Sequence, residues 1–232
     1  MGKAKKLKEL RKIEQQNKQV EHSKKRKKIE LIIVGILLLL VVGGVALTYL
    51  NRTIKEKNMV SATIQTDKGN IELTLDKNAA PNTVENFVKL AQSGFYDGVK
   101  FHRVVDSFVI QAGDPLSKDE DPSNDGQGGP GYAIDDEINP KSLGLSQNEI
   151  DQLVYNGYTF DYSLTSLPHK VGTISMANSG PNTAGSQFFI VTTEDQPDLN
   201  GKYTAFGNVT SGMDVVRQIK QGDIINKVVI NE

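Results

Sequence analysis

The sequence predicts a mainly β domain, an antiparallel sheet closed into a barrel, carried behind a single apolar membrane-spanning helix. Three observations lead there. Residues 1–30 hold 12 Lys/Arg against 4 Asp/Glu, and residues 51–232 hold 15 against 24, so the overall charge of −1 averages two opposite parts. Between them, from Leu31 to Leu50, twenty residues carry no charge. Beyond residue 58, short runs of alternating apolar and polar residues recur between turn-forming clusters, the pattern of half-buried strands. Hydrophobic residues make up 38% of the 232, and with 21 glycines this is a globular composition, which excludes a wholly disordered chain. The absence of cysteine excludes a disulfide framework, a thiol nucleophile, an iron–sulfur cluster and thiolate-held zinc.

The elements follow in chain order. The tail, 1–30, has two cationic clusters, the second being Lys24, Lys25, Arg26, Lys27 and Lys28. It has no aromatic residue to stack on a base, so it reads as a topology determinant leaning on anionic lipid rather than as a nucleic-acid arm. A helix over residues 31–50 would rise about 30 Å, the thickness of a bilayer's hydrocarbon core. The heavier positive flank precedes it, which places the tail in the cytoplasm and the C-terminal domain outside a single-pass cell-membrane anchor. The competing reading is a cleaved signal peptide, because Gly44-Val45-Ala46 offers small residues to a signal peptidase. Residues 51–58 are a polar linker, and 59–232 form the outer domain.

In that domain, residues 59–66 and 71–75 alternate around Asp67-Lys68-Gly69-Asn70, a hairpin. Pro81 opens a helix, where its missing N–H costs nothing, with Val84, Phe87, Val88 and Ala91 on one face and Gly94 as its stop. Two strands, 101–105 and 108–111, flank a tight Asp106-Ser107 turn. Further strands are expected at 172–176, 187–191, 205–209 and 225–230, with a short helix at 213–219 before the last. The acidic glycine-rich loop 117–131 is no phosphate cradle, since no Gly-Lys-Ser/Thr follows and Asp119, Glu120 and Asp121 would repel phosphate. Residues 141–170 read as a structured insertion: Ser146 and Glu149 form a capping-box pattern ahead of Ile150, Leu153 and Val154.

No conventional catalytic constellation is present. His102 and His169 alone do not make a metal site, and no serine occupies a Gly-x-Ser-x-Gly elbow. What stands out is FHRVVDSFVIQAGDP, residues 101–115. A turn near Ser107 makes Arg103 and Gln111 cross-strand partners on one face, with Phe108 close by. A second run, 172–190, ends in a strand presenting Gln187 and Phe189 on one face, and a third spans 199–209. An arginine among aromatics on a sheet is also what an ordinary surface looks like, so spacing alone leaves the site open.

These runs resemble the cyclophilin family of peptidyl-prolyl cis–trans isomerases. Phe-His-Arg-Val, Gln-x-Gly-Asp-Pro, Ser-Met-Ala-Asn, Gly-Ser-Gln-Phe-Phe-Ile and Gly-Lys…Phe-Gly occur in family order, as does APNTVENFVKLAQSGFYDG at 80–98. The resemblance covers about residues 60–231, apart from the insertion. It implies a closed eight-stranded antiparallel barrel capped by two helices, with the active site on its outer face. It implies Arg103 as the catalytic residue, and Phe108, Val109, Phe189 and Leu199 as the pocket for a proline ring. Gln111, Ala177, Asn178 and Gln187 match the peptide-gripping groove. Two positions depart from the family pattern: Asp198 stands where many members carry tryptophan, and Tyr203 where they carry histidine. Tyr203 can still wall the pocket, whereas a carboxylate cannot replace an indole, so binding of cyclosporin is expected to be weak.

The implied activity is rotation about X–Pro bonds in proline-containing peptides and in unfolded or secreted client proteins, assisting folding outside the cell membrane. It requires no cofactor or metal. The alternative is an extracytoplasmic chaperone or binding module that keeps the barrel and turns over only incidentally.

Overall fold

The computed structural model describes residues 58–231, together with residues 8, 12, 14, 17–21, 24–26, 39–46, 48 and 49 of the preceding part. The chain divides into two compact units, Met1–Glu56 and Lys57–Glu232. In the first, the described residues are helical, and 39–46 are exposed. The expected span from Leu31 to Leu50 lies mostly outside the described residues. Among the described residues, no helix is long and apolar enough to cross a membrane.

The second unit is a sheet of eight antiparallel strands with helices against it. The strands are β1 (Met59–Thr66), β2 (Gly69–Asp76), β3 (Arg103–Val105), β4 (Val109–Ala112), β5 (Thr173–Met176), β6 (Phe188–Val191), β7 (Ala205–Ser211) and β8 (Ile225–Asn231). The helices are α1 (Pro81–Gln92), α2 (Gln147–Tyr155) and α3 (Met213–Gln218). Each strand expected from alternation is present within a few residues of its anticipated ends. The order across the sheet is β3-β4-β6-β5-β7-β2-β1-β8.

The expectation of a closed barrel is corrected. The ladder is open, with β3 and β8 as its edges. β3 has only three residues and forms no ladder with β8. The gap is spanned instead by irregular backbone, with one isolated bridge between Lys100 and Ile224. Bonds from Gly98 N to Ile225 O and from Phe101 N to Asp223 O, each 2.8 Å, flank it. The exposed-edge problem of an open sheet is thereby met without a continuous ladder.

The core fills the inside of the sheet. Ile64, Ile71, Leu73 and Leu75 of the β1–β2 hairpin are at most 1% exposed, and α1 lays Val84 and Phe87 on them. Phe87 sits in a ring of aromatics, 5.1 Å from Tyr96, 5.3 Å from Phe206 and 5.6 Å from Phe188 between centroids. Tilted and edge-on contacts of this kind suit the ring quadrupoles. The start of α1 needs an external partner, because its N-cap is Ala80, which offers no side-chain acceptor. Pro81 removes one orphan N–H. The buried carboxylate of Glu137 accepts the next two, from Asn82 N at 3.0 Å and Thr83 N at 2.8 Å. A loop 54 residues away in sequence thus caps the helix.

Within residues 141–170 the helix forms as its pattern predicts. Ser146 caps α2, and the Glu149 carboxylate reaches back to the Ser146 backbone N–H at 2.7 Å. Its apolar face is fixed by Ile150 and Leu153, 3% and 7% exposed.

Candidate active site

The site lies on the outer face of the sheet, and strand periodicity puts it there. Along β4 and β6 side chains alternate between faces. Ile110, Ala112, Phe188 and Ile190 enter the core, whereas Val109, Phe189 and Val191 form a second buried cluster on the other side. Phe108, Ala177, Leu199 and Tyr203 pack against that second cluster. The uninterrupted burial of β6 therefore means that both its faces are covered.

Arg103 stands at the polar end of this cluster. Ser107 adopts φ 58° in the β3–β4 turn, a left-handed conformation for a non-glycine residue. The short turn sets the register, and Arg103 pairs with Gln111. The Arg103 Nη1 group donates to Gln111 Oε1 at 3.3 Å, and its Cζ lies 5.8 Å from the centre of the Phe108 ring. Gln111 Nε2 donates in turn to Gln187 Oε1 at 3.0 Å. Gln187 Nε2 donates to the carbonyls of Gly126 and Gly128 at 2.9 and 2.8 Å. This row of amides runs from the guanidinium to the glycine-rich loop and fixes the orientation of each member.

The loop is held from beneath by Asp114, which is fully buried. Its carboxylate accepts from Leu116 N at 2.8 Å and from Gly126 N. A side chain at Gly128 would run into the same carboxylate, so glycine is required there. Far from being only a solvated connection, the loop is, at its glycines, part of the site's frame.

Arg103, Phe108, Val109, Gln111, Ala177, Asn178, Phe189, Leu199 and Tyr203 line one open cleft of about 230 Å³. Gln187, expected beside them, lies instead in an adjoining hollow of about 260 Å³ that also borders Gln111, Ala177 and Asn178. Asn178 is anchored by Nδ2 donating to Lys202 O at 2.9 Å and more distantly to Asp136 Oδ1 at 3.4 Å. Burial pushes the Asp136 carboxyl above its usual range, and hydrogen bonds from Asn182 and Asn178 partly offset this. Asp198 lines a different cleft, together with residues between Leu143 and Asn156.

Sequence reasoning misses one participant. His169 is 2% exposed and stacks on Phe189, with centroids 5.9 Å apart and planes at 18°. Asn200 Oδ1 accepts from the His169 backbone N–H at 3.0 Å and lies 2.9 Å from its Nδ1. An oxygen already serving as acceptor assigns the proton to Nδ1, leaving Nε2 to accept from Ser175 Oγ at 3.0 Å. Burial lowers the pKa to about 4, partly opposed by the bond to Asn200, so the ring is neutral near pH 7. It backs the pocket and ties Leu199's neighbour to Phe189. No motif marks it, because its partners come from three separate stretches.

Comparison with known proteins decides the family. Residues 61–232 match the family described as cyclophilin type peptidyl-prolyl cis-trans isomerase/CLD. The chain belongs to the cyclophilins. A peptidyl-prolyl cis-trans isomerase of Synechococcus elongatus is 42% identical over 174 residues, covering 74% of this chain and 97% of the relative. Peptidyl-prolyl cis-trans isomerase B of Bacillus subtilis is 42% identical over 164 residues, covering 70% and 91%. Among solved structures, a cyclophilin-type isomerase of Cryptosporidium parvum is similar at TM-score 0.58 and 29% identity, covering 75% of this chain and 98% of that one. Its structure in the presence of the dipeptide Ala-Pro gives TM-score 0.56 at 28% identity, with 74% and 99% covered. This cyclophilin is thus a peptidyl-prolyl cis–trans isomerase by family.

Proposed function

We propose that the chain catalyses X–Pro rotation in proteins emerging on the outer side of the cell membrane and thereby assists their folding. The carrying observation is the placement of the Arg103 guanidinium, oriented by Gln111, in the same cleft of about 230 Å³ as Phe108, Val109, Phe189 and Leu199. Rotation about an X–Pro bond faces a barrier of ~18–20 kcal/mol from amide resonance. No bond is broken, so the reaction asks for no nucleophile and no proton transfer. As the amide twists, the proline nitrogen regains its lone pair. A guanidinium donating to that nitrogen stabilises the twisted form more than the planar one, which is the condition for acceleration. Arginine suits the task because its planar fork stays charged and points in a fixed direction.

In this reading Phe108, Val109, Phe189 and Leu199 take the proline ring and Tyr203 walls it. Gln111, Ala177, Asn178 and Gln187 hold the flanking backbone while the preceding carbonyl swings. The row of amides supports this division, because it fixes donors and acceptors along one side of the cleft. The Cryptosporidium parvum relative, of the same fold, was crystallised in the presence of a proline dipeptide, which is consistent with it.

The outer location rests on the uncharged residues 31–50 and on the cationic cluster preceding them. Protease added to intact cells or spheroplasts should digest the isomerase domain and spare the basic tail. Protection of the domain until the membrane is permeabilised would exclude this topology. A soluble form beginning after Ala46 would show a cleaved signal peptide in place of the anchor.

One observation favours a second reading, a client-binding module. α2 displays Val154 and Tyr155 at 53% and 91% exposure, an apolar display that a pure peptide isomerase does not need. The full chain in detergent separates the two. A catalyst accelerates refolding of a proline-limited protein at substoichiometric amounts. A holdase suppresses aggregation of a proline-poor client and leaves that refolding rate unchanged.

A further inference from the structure

The insertion does not stand clear of the proline cleft. Gly201, with φ +81°, lies under α2: a β-carbon there would be 2.7 Å from Leu153 Cδ1 and 2.9 Å from Leu145 Cδ2. Gly201 belongs to the stretch that carries Leu199 and Tyr203. That stretch is a partition with two lined sides. Leu199 and Tyr203 line the proline cleft, whereas Asp198, Asn200 and Lys202, alternating with them, line a second cleft of about 470 Å³. The opposite wall of the second cleft is the insertion.

The chemistry of this second cleft is amphipathic. Its apolar members Leu143, Leu145 and Leu153 are half-buried or buried. Its acids Glu149 and Asp198 are exposed. Hydrogen bonds from the Ser146 hydroxyl and backbone hold Glu149 below the usual carboxylate range, so it stays ionised. Against two carboxylates stands one cation, Lys202. An apolar floor with an anionic rim matches a side chain that buries a methylene stem and keeps a charged head in water. Lysine and arginine have that form.

We propose that this cleft is a second subsite for the client chain, taking a lysine or arginine that lies a few residues from the isomerised proline. Continuity supports one occupant for both clefts, since a single turn of backbone separates them. The inference rests on the isomerase reading above and adds a sequence preference to it: prolines in basic surroundings are favoured over those in acidic ones. It also gives a use to Asp198, which puts a charge on the rim where many members of the family place an indole.

The test uses the full chain in detergent and a set of peptides sharing one X–Pro core. A single lysine is moved one position at a time along either flank, with norleucine and glutamate peptides as neutral and acidic counterparts. One lysine register should show kcat/KM about three- to fivefold above norleucine, the range of an exposed ion pair, with glutamate below both. Raising the salt should shrink that advantage, as screening requires. In the double variant Glu149→Gln/Asp198→Asn the lysine-to-norleucine ratio should fall to about one. Glutamine still completes a capping box, so α2 keeps its start. Turnover with no register dependence, or an advantage that survives in the double variant, overturns the subsite alone. Absence of turnover on every peptide overturns the isomerase reading and the subsite with it.

Discussion

Arg103→Ala is expected to lower the isomerisation rate by about a hundred- to a thousandfold, the loss found when one preorganised donor to a transition state is removed. Peptide affinity should change far less, because the interaction strengthens only as the proline nitrogen becomes pyramidal. The split is measurable by comparing line-shape exchange with equilibrium binding of the same peptide. Stability should shift by no more than about 0.5 kcal/mol, since Arg103 is exposed and its contact with Phe108 lies outside the core. Arg103→Lys should recover only part of the rate, as a single freely rotating ammonium nitrogen lacks the planar fork whose separate nitrogens point in fixed directions. A folded Arg103→Ala protein that isomerises at nearly the normal rate would remove the mechanism, whatever the family.

Acidification is expected to cost the domain stability through His169. Its folded pKa is about 4, against 6.5 for an unperturbed imidazole. Between those values the unfolded chain binds a proton and the native one does not, so the unfolding free energy rises with pH. The contribution is intact above the unfolded value, declines as pH falls from 6.5 and is fully lost below about 4. A shift of this size corresponds to roughly 3 kcal/mol, a large share of a typical domain's stability. Burial lowers the pKa of His102 as well, with the same sign, so the wild-type slope alone does not isolate His169. Urea unfolding of wild type and His169→Gln across this range does. Equal pH slopes in the two proteins would mean that His169 is not the group responsible.

Most of the sheet was legible because alternation is a local signal. Residues 59–66 and 71–75 announce their faces without knowledge of the rest of the chain. The pairing of Arg103 with Gln111 was legible for a related reason, since a tight turn centred on Ser107 places those two residues opposite each other. Openness of the ladder was not legible. It depends on β3 ending after three residues and on irregular backbone near Asp223 supplying the bridging bonds, neither of which any hydrophobic pattern encodes. Glu137 reads in sequence as one more loop carboxylate, because Thr83, whose N–H it accepts, lies 54 residues earlier. His169 reads as an isolated histidine, because Ser175, Asn200 and Phe189 reach it only in the folded chain. Contacts of that range are products of topology.

The two-sidedness of β4 and β6 has a consequence for how this molecule can change over time. One strand pair serves two hydrophobic clusters that share backbone but no side chain. Exchanges at Val109 or Phe189 reshape the cleft they line, while Ile110, Phe188 and Ile190 go on holding the sheet to its core. Selection on recognition and selection on folding therefore act on alternate letters of the same short words. A lineage can reshape the cleft one odd position at a time while the even positions keep the fold, and a protein engineer can follow the same route.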